Sequence, residues 1–218
     1  MSARLAVFDC DGTLIDGQAS ICAAMEQAFS QFGLPLPPRN EVRRAVGLSL
    51  PLAIARLLPQ ADAAQQLALV DAYKQAFRAA RSDGTLQQPL YDGIAPLLGR
   101  LHDAGWLLGV ATGMSSRGLE HCLAMHGLSH LFITLQTADL HPSKPHPAML
   151  EAALDEAGAA PARAVMIGDT AFDMAMAAAA GVRGIGVDWG YHEAPELLSA
   201  GAGAVATDPA HLEELLNQ

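Results

Sequence analysis

Cysteine is scarce in this chain: Cys10, Cys22 and Cys122 are its only three, and no two form a CxxC pair. An odd, widely spaced set argues against a disulfide framework and points to a reducing cytoplasm. Long hydrophobic runs are missing too. Although 51% of the 218 residues are apolar, Gly, Pro or a charge breaks every apolar stretch before it reaches bilayer length. Met1-Ser2-Ala3-Arg4 leads straight into a strand-like run, so no signal peptide is expected. Positive charge is also in short supply, with 13 Lys and Arg against 23 Asp and Glu, a net charge of −10. Such a chain repels nucleic acid and anionic membrane, and neither is expected as a partner. An anionic substrate would need a local positive centre.

What is present begins at residue 5. Leu5-Ala6-Val7-Phe8 is short, apolar and strand-like, and Asp9-Cys10-Asp11-Gly12-Thr13-Leu14 closes it. Asp9 and Asp11 alternate across Cys10, so an extended backbone puts both carboxylates on one face. Two carboxylates this close require a cation or a shared proton. Gly12 frees the chain to turn, and a carboxylate nucleophile beside a proton-handling carboxylate suits phosphoryl transfer.

Helical periodicity then runs over residues 21–32, 41–46, 50–58 and 61–81, with nothing strand-like between Asp16 and Leu86. From residue 94 helices and apolar strands alternate. Strands are expected at 106–112, 131–137, 164–168, 182–187 and 204–206, and helices at 94–104, 115–126, 146–157 (with Pro147 in its first turn), 171–180, 194–198 and 209–216. Repeated βα units with continuous apolar strands imply a Rossmann-like, doubly wound parallel sheet covered by helices on both faces. The expected organisation is an α/β core of residues 1–15 and 87–218, with an all-helical cap, residues 16–86, inserted after the first strand.

Ligands bind beyond the carboxyl ends of such strands. The polar residues there are Asp9 and Asp11, Thr112-Gly113, the loop bearing Lys144, and Gly168-Asp169-Thr170 with Asp173. Hard oxygen ligands from Asp9 and Asp169, oriented by Asp173 in the first turn of a helix, suit Mg²⁺. Four aspartates would repel a phosphate dianion unless Mg²⁺ and the Lys144 ammonium brought the site near balance. Prolines at 142, 145 and 147 restrict the Lys144 loop, and the Thr112 hydroxyl with the Gly113 N–H can hold a phosphoryl oxygen.

Asp9-x-Asp11-Gly12-Thr13-Leu14, Thr112, Lys144-Pro145 and Gly168-Asp169-Thr170-x-x-Asp173 stand in the order and spacing that resembles the haloacid dehalogenase-like hydrolase superfamily. Within it the chain is similar to the subgroup with a helical cap, where phosphoglycolate phosphatases are found. The resemblance implies that Asp9 is the nucleophile of an aspartyl-phosphate intermediate and Asp11 the general acid and base. It implies that Thr112 and Lys144 hold the phosphoryl group. It further implies that Asp9, the Asp11 carbonyl and Asp169 bind Mg²⁺ with support from Asp173. The substrate expected is a small phosphate monoester, phosphoglycolate or a similar compound.

Asp11 argues against a dehalogenase, which needs no acid at that position. A phosphonatase wants a cap lysine for a Schiff base, and the only candidate, Lys74, lies in a helix whose pattern reads as solvated. A sugar phosphomutase would use the same four motifs. A non-catalytic phosphate-binding protein would have no use for Asp11. Two departures stand out. Met114 occupies a position where relatives often carry Lys, so a basic contact is expected from elsewhere, with Arg117 the candidate. Cys10 replaces a bulky apolar residue and is expected to point away from the site. In the cap, Arg43 and Arg44 precede a Gly47 break and are candidates for binding a substrate carboxylate.

Overall fold

The computed structural model describes residues 3–218; Met1 and Ser2, part of the stretch in which no signal peptide is expected, lie outside the described residues. Six parallel strands form one sheet: β1 (Arg4–Phe8), β2 (Trp106–Thr112), β3 (Phe132–Thr137), β4 (Ala164–Gly168), β5 (Arg183–Val187) and β6 (Ala204–Ala206), in the order β3-β2-β1-β4-β5-β6. The first half winds outward from β1 through β2 to β3, and the second returns to β4 on the other side of β1. The carboxyl ends of β1, β2 and β4 therefore lie side by side at the point where the strand order reverses, which is where open α/β sheets bind ligands.

Period-two alternation sorts the strand residues between two layers. Ala6, Phe8, Val165 and Ile167 join an apolar cluster with Leu97 and Leu101 of α5 (Ile94–Asp103) and Leu212 of α10 (Pro209–Leu216). Leu5, Val7 and Met166 join the opposite cluster with Met149 and Leu150 of α7 (Ala148–Ala157) and Met176 of α8 (Ala171–Ala179). Both faces are covered, so the strands are buried on both sides, as their unbroken apolar sequences require. The helices α6 (Ser116–Met125) and α9 (Ala194–Ser199) complete the covering layers.

Four helices lie between β1 and α5: α1 (Gln18–Gln31), α2 (Arg39–Ala45), α3 (Leu50–Leu57) and α4 (Ala63–Ser82). They pack about their own apolar cluster, in which Met25 and Phe29 meet Ile54 and Leu69. The two chain passages into and out of this helical unit run side by side. Asp16 N–H donates to the Pro89 carbonyl at 2.8 Å, Tyr91 N–H donates to Leu14 at 3.1 Å, and Ser20 Oγ donates to the Gln87 carbonyl at 3.0 Å.

Element ends fall within about three residues of the sequence expectation, and the shifts have local causes. Helix α1 starts early because Asp16 Oδ1 accepts from Gln18 N–H at 3.1 Å. Helix α4 starts late because Asp62 is its N-cap, accepting from Gln65 N–H at 2.8 Å. Pro147 precedes α7 as its N-cap rather than lying in its first turn.

Candidate active site

Strand β1 ends at Phe8, and the chain turns immediately: Thr13, Leu14 and Ile15 all donate backbone N–H groups to the Cys10 carbonyl. The turn thus begins at the Cys10 carbonyl, one residue before Asp11. Cys10 nonetheless continues the strand's alternation. It sits in the apolar cluster below the sheet end beside Cys122, whose sulfur contact, with burial, raises the Cys10 thiol pKa. All three cysteines are buried and free.

Asp9, 1% exposed, is held by one oxygen. Its Oδ1 accepts from Cys10 N–H at 2.7 Å and lies 3.0 Å from Lys144 Nζ, while Oδ2 is buried without a hydrogen-bond partner. Lys144 is fully buried and also lies 2.6 Å from Asp173 Oδ1. Asp173 in turn accepts from the Thr170 N–H at 3.0 Å and the Thr170 hydroxyl at 2.7 Å through Oδ2, closing a capping box at the start of α8. Burial alone would push the Lys144 ammonium down, but Asp173 and Asp9 outweigh it and hold its pKa above the ordinary value.

Asp169 is fully buried at the end of β4. Thr13 Oγ1 donates to its Oδ1 at 2.9 Å and Tyr191 N–H to its Oδ2 at 2.9 Å. Two glycines permit this. A Cβ at Gly12, whose φ of +87° already excludes most residues, or at Gly190 would run into the Asp169 carboxylate. Burial, with the charges of Asp9 and Asp173, raises the Asp169 pKa well above the carboxylate range.

The same causes act on the first motif. Burial, partly offset by Lys144, pushes Asp9 up to about 6, and burial with the Asp9 charge pushes Asp11 up to about 7. Four carboxylates thus face one ammonium. Ligand atoms of Asp9, Asp169 and Asp173 lie within 4.8 Å of one another. The buried, unpartnered Asp9 Oδ2 and the excess of carboxylates over cations fit a divalent cation at this cluster.

Asp9, Asp11, Thr112 and Gly113 line a cavity of about 480 Å³ between the sheet end and the helical unit. Thr112 Oγ1 accepts from Met114 N–H at 3.3 Å. The loop after α2 closes over this edge: a Cβ at Gly113 would meet the carbonyl of Gly47 at 2.8 Å, and Ser49 N–H donates to Ser143 Oγ at 2.8 Å.

The sequence-derived core motifs thus converge: Asp9, Asp11, Thr112, Gly113, Lys144, Asp169 and Asp173 gather at one sheet edge. Arg43 and Arg44 do not join them on the cavity wall. Arg43 Nη2 donates to the Gly190 carbonyl at 3.5 Å and its guanidinium lies 5.8 Å from the Tyr191 ring, while Arg44 pairs with Glu196. Both lie on α2 and reach toward the loop after β5, not the cavity wall on which they were expected to meet a substrate carboxylate. The basic side chains on the wall are Lys74, Arg78, Arg81 and Arg117. Lys74, read from sequence as simply solvated, is exposed but faces the cavity. The four-then-three spacing of residues 74, 78 and 81 places them on one helix face, a signal available in the sequence. The contacts of Gly190 and Tyr191 with Asp169 carry no such signal, because 22 residues separate donor from acceptor.

The model of the haloacid dehalogenase-like hydrolase family matches residues 6–187. The chain is similar to a probable phosphatase, IndB, of Dickeya dadantii, 34% identical over 203 residues that cover 90% of this chain and 86% of that protein. It is also similar to a phosphoglycolate phosphatase of Vibrio cholerae, 29% identical over 226 residues covering 99% of this chain and 97% of that one. Among solved structures, a predicted phosphatase from Clostridium acetobutylicum superposes with a TM-score of 0.89 at 25% identity, over 100% of this chain and 99% of the other.

Proposed function

The chain belongs to the haloacid dehalogenase-like hydrolases and is a phosphatase, and we propose that it hydrolyses a small-molecule phosphate monoester with Mg²⁺ through an aspartyl-phosphate on Asp9. The observation that carries this reading is the pairing of Asp9 and Asp11 at the floor of one cavity, with Asp9 Oδ2 free of protein partners. Asp9 is the nucleophile. As its carboxylate oxygen bonds to phosphorus, the bond from phosphorus to the ester oxygen breaks and Asp11 supplies the proton to the departing alkoxide. Asp11 then takes a proton from water as that water displaces Asp9 from phosphorus, leaving alcohol, inorganic phosphate and the original carboxylate. A group that must give and then recover a proton works best with a pKa near the ambient pH, and Asp11 stands at about 7.

The Thr112 hydroxyl and Gly113 N–H orient the phosphoryl oxygens, and Lys144 offsets the charge gathered at Asp9. Asp9, the Asp11 carbonyl and Asp169 would hold the divalent cation, with Asp173 behind them. When bound, Mg²⁺ would neutralise charge on the transferring phosphoryl group. Residues 16–86 act as a cap that excludes water, hinged where the passages at Asp16 and Pro89 adjoin. Among the described residues no helix is long and apolar enough to cross a membrane, and a cytoplasmic setting is consistent with three free thiols.

The test is phosphate release from a panel of small phosphate esters with Mg²⁺ and then with a chelator. Release that depends on the metal and vanishes in Asp9→Asn supports the reading. Release that persists in both conditions overturns it.

A further inference from the structure

The cavity is larger and less polar than a two-carbon ester requires. Part of its wall is apolar, built from Met25, Val46, Leu50, Tyr73, Phe77 and Met114. Tyr73 and Phe77, one turn apart on α4, stack with centroids 5.6 Å apart and an interplanar angle of 28°. A volume of about 480 Å³ falls in the range that encloses ring-bearing ligands.

The same wall also carries basic side chains. Arg78 and Arg81 come from α4 and Arg117 from α6, so the group draws on both the helical unit and the core. With Lys74 these make four of the chain's 13 basic residues, in a protein of net charge −10. Elsewhere on the surface Arg39, Arg44 and Arg100 are each paired with a glutamate. Among the described residues none of Lys74, Arg78, Arg81 and Arg117 has an acidic partner within ion-pair distance, and Arg81 Nε is buried with no hydrogen bond. Besides Asp9 and Asp11 the acid on the wall is Asp139, which accepts from Ser116 N–H at 2.9 Å. Burial lowers the Arg81 pKa, and the charges of Arg117 and Arg78 lower it further, so the three guanidinium groups repel one another. Unpaired like charges gathered on the wall of a cavity favour an anion there, although Lys74, Arg78 and Arg117 are exposed.

We infer that the substrate is a phosphate monoester whose alcohol carries an apolar, ring-sized body ending in a second anionic group, held by Arg78, Arg81 and Arg117. The inference rests on the phosphatase reading for the identity of the first anionic group. The stacked Tyr73 and Phe77 contact the body, Asp9 attacks the phosphorus at one end, and the arginines receive a carboxylate or similar anion at the other. They supply the basic contact that Met114 cannot.

The experiment measures binding in the Asp9→Asn variant, where turnover does not consume the ligand. The probes are 6-carboxy-2-naphthyl phosphate, 2-naphthyl phosphate and 2-phosphoglycolate, each with Mg²⁺ in a calorimeter. The carboxylated naphthyl ester is expected to bind about tenfold tighter than either other compound. In the same background, adding Arg81→Gln and Arg117→Gln should bring the ratio between the two naphthyl esters to within about twofold. Arg78→Gln, at an exposed position, carries the same test should the half-buried Arg81 site not tolerate substitution. A ratio near one in Asp9→Asn alone, a ratio that survives the arginine changes, or tighter binding of 2-phosphoglycolate would each overturn the inference. Phosphate release from the same esters by the unmodified enzyme is a separate readout. Its failure would count against the phosphatase reading, while the binding ratio still decides this one.

Discussion

Lys144 and Asp173 meet at 2.6 Å with neither side chain exposed to solvent. The pair joins the loop before α7 to the first turn of α8, so the ammonium that faces Asp9 is aimed by a residue from the next βα unit. Both Asp173 oxygens are engaged: Oδ1 holds Lys144, and Oδ2 holds the Thr170 N–H and hydroxyl. A buried pair of this kind is costly to break from one side, because Lys144 would then have only Asp9 to balance its buried charge.

Asp173→Ala should therefore lower stability by about 3–5 kcal/mol, the range for removing one partner of a buried ion pair. Chemical denaturation with circular dichroism measures this. Turnover should fall as well, since Lys144 loses its second anchor. Added Mg²⁺ should not restore it. Recovery at high Mg²⁺ would mean that Asp173 acts through the cation and not through the lysine.

On the proposed mechanism Asp9→Asn removes the nucleophile but keeps its shape, so the fold should survive while turnover drops at least about a thousandfold, roughly 4 kcal/mol of barrier. Steady-state phosphate release, with circular dichroism as the folding control, measures this. A variant that keeps a tenth of the parent rate would rule out a covalent intermediate on Asp9.

Asp169 is positioned by Thr13 Oγ1 and the Tyr191 N–H and has no cationic partner among the described residues. Asp169→Ala should weaken Mg²⁺ binding, measured by calorimetry, and cripple turnover together. A chelator should silence the parent enzyme in the same assay. Unchanged Mg²⁺ affinity would place the cation elsewhere.

The sheet and its polar edge were legible because both are written locally. Apolar runs such as Leu5–Phe8 and Ala164–Gly168 give the strands, and each run ends in its own polar signal. The topology then brings those ends together without further instruction. The cap's contribution was not legible in the same way. Which face of α2 meets the core depends on the path of the chain between Gly33 and Arg39, and no short-range pattern encodes that path. Arg43 and Arg44 therefore read as substrate ligands, although they dock on Gly190, Tyr191 and Glu196. The stripe of residues 74, 78 and 81 was visible as a period, but its direction was not. A solvated stripe and a cavity-lining stripe are identical until a second surface faces them.

The placement of Arg43 leads to the last prediction. Its guanidinium lies over the Tyr191 ring at 5.8 Å and its Nη2 reaches the Gly190 carbonyl, while Tyr191 N–H holds Asp169 and a Cβ at Gly190 would strike that same carboxylate. The arginine thus ties the helical unit to the loop that positions Asp169. It has no contact with the cavity through which it could read a substrate's far end. A partly buried cation–π contact of this kind is worth about 0.5–2 kcal/mol. Arg43→Ala should lower kcat/KM by roughly two- to thirtyfold, the same range expressed as a rate ratio. The loss should be equal on a carboxylated ester and on an uncharged aryl phosphate, because closure over Asp169 serves both. Arg44→Ala removes only an exposed pair with Glu196 and should cost at most about 1 kcal/mol of stability. A loss in Arg43→Ala confined to the carboxylated ester would return that residue to substrate recognition and remove the latch.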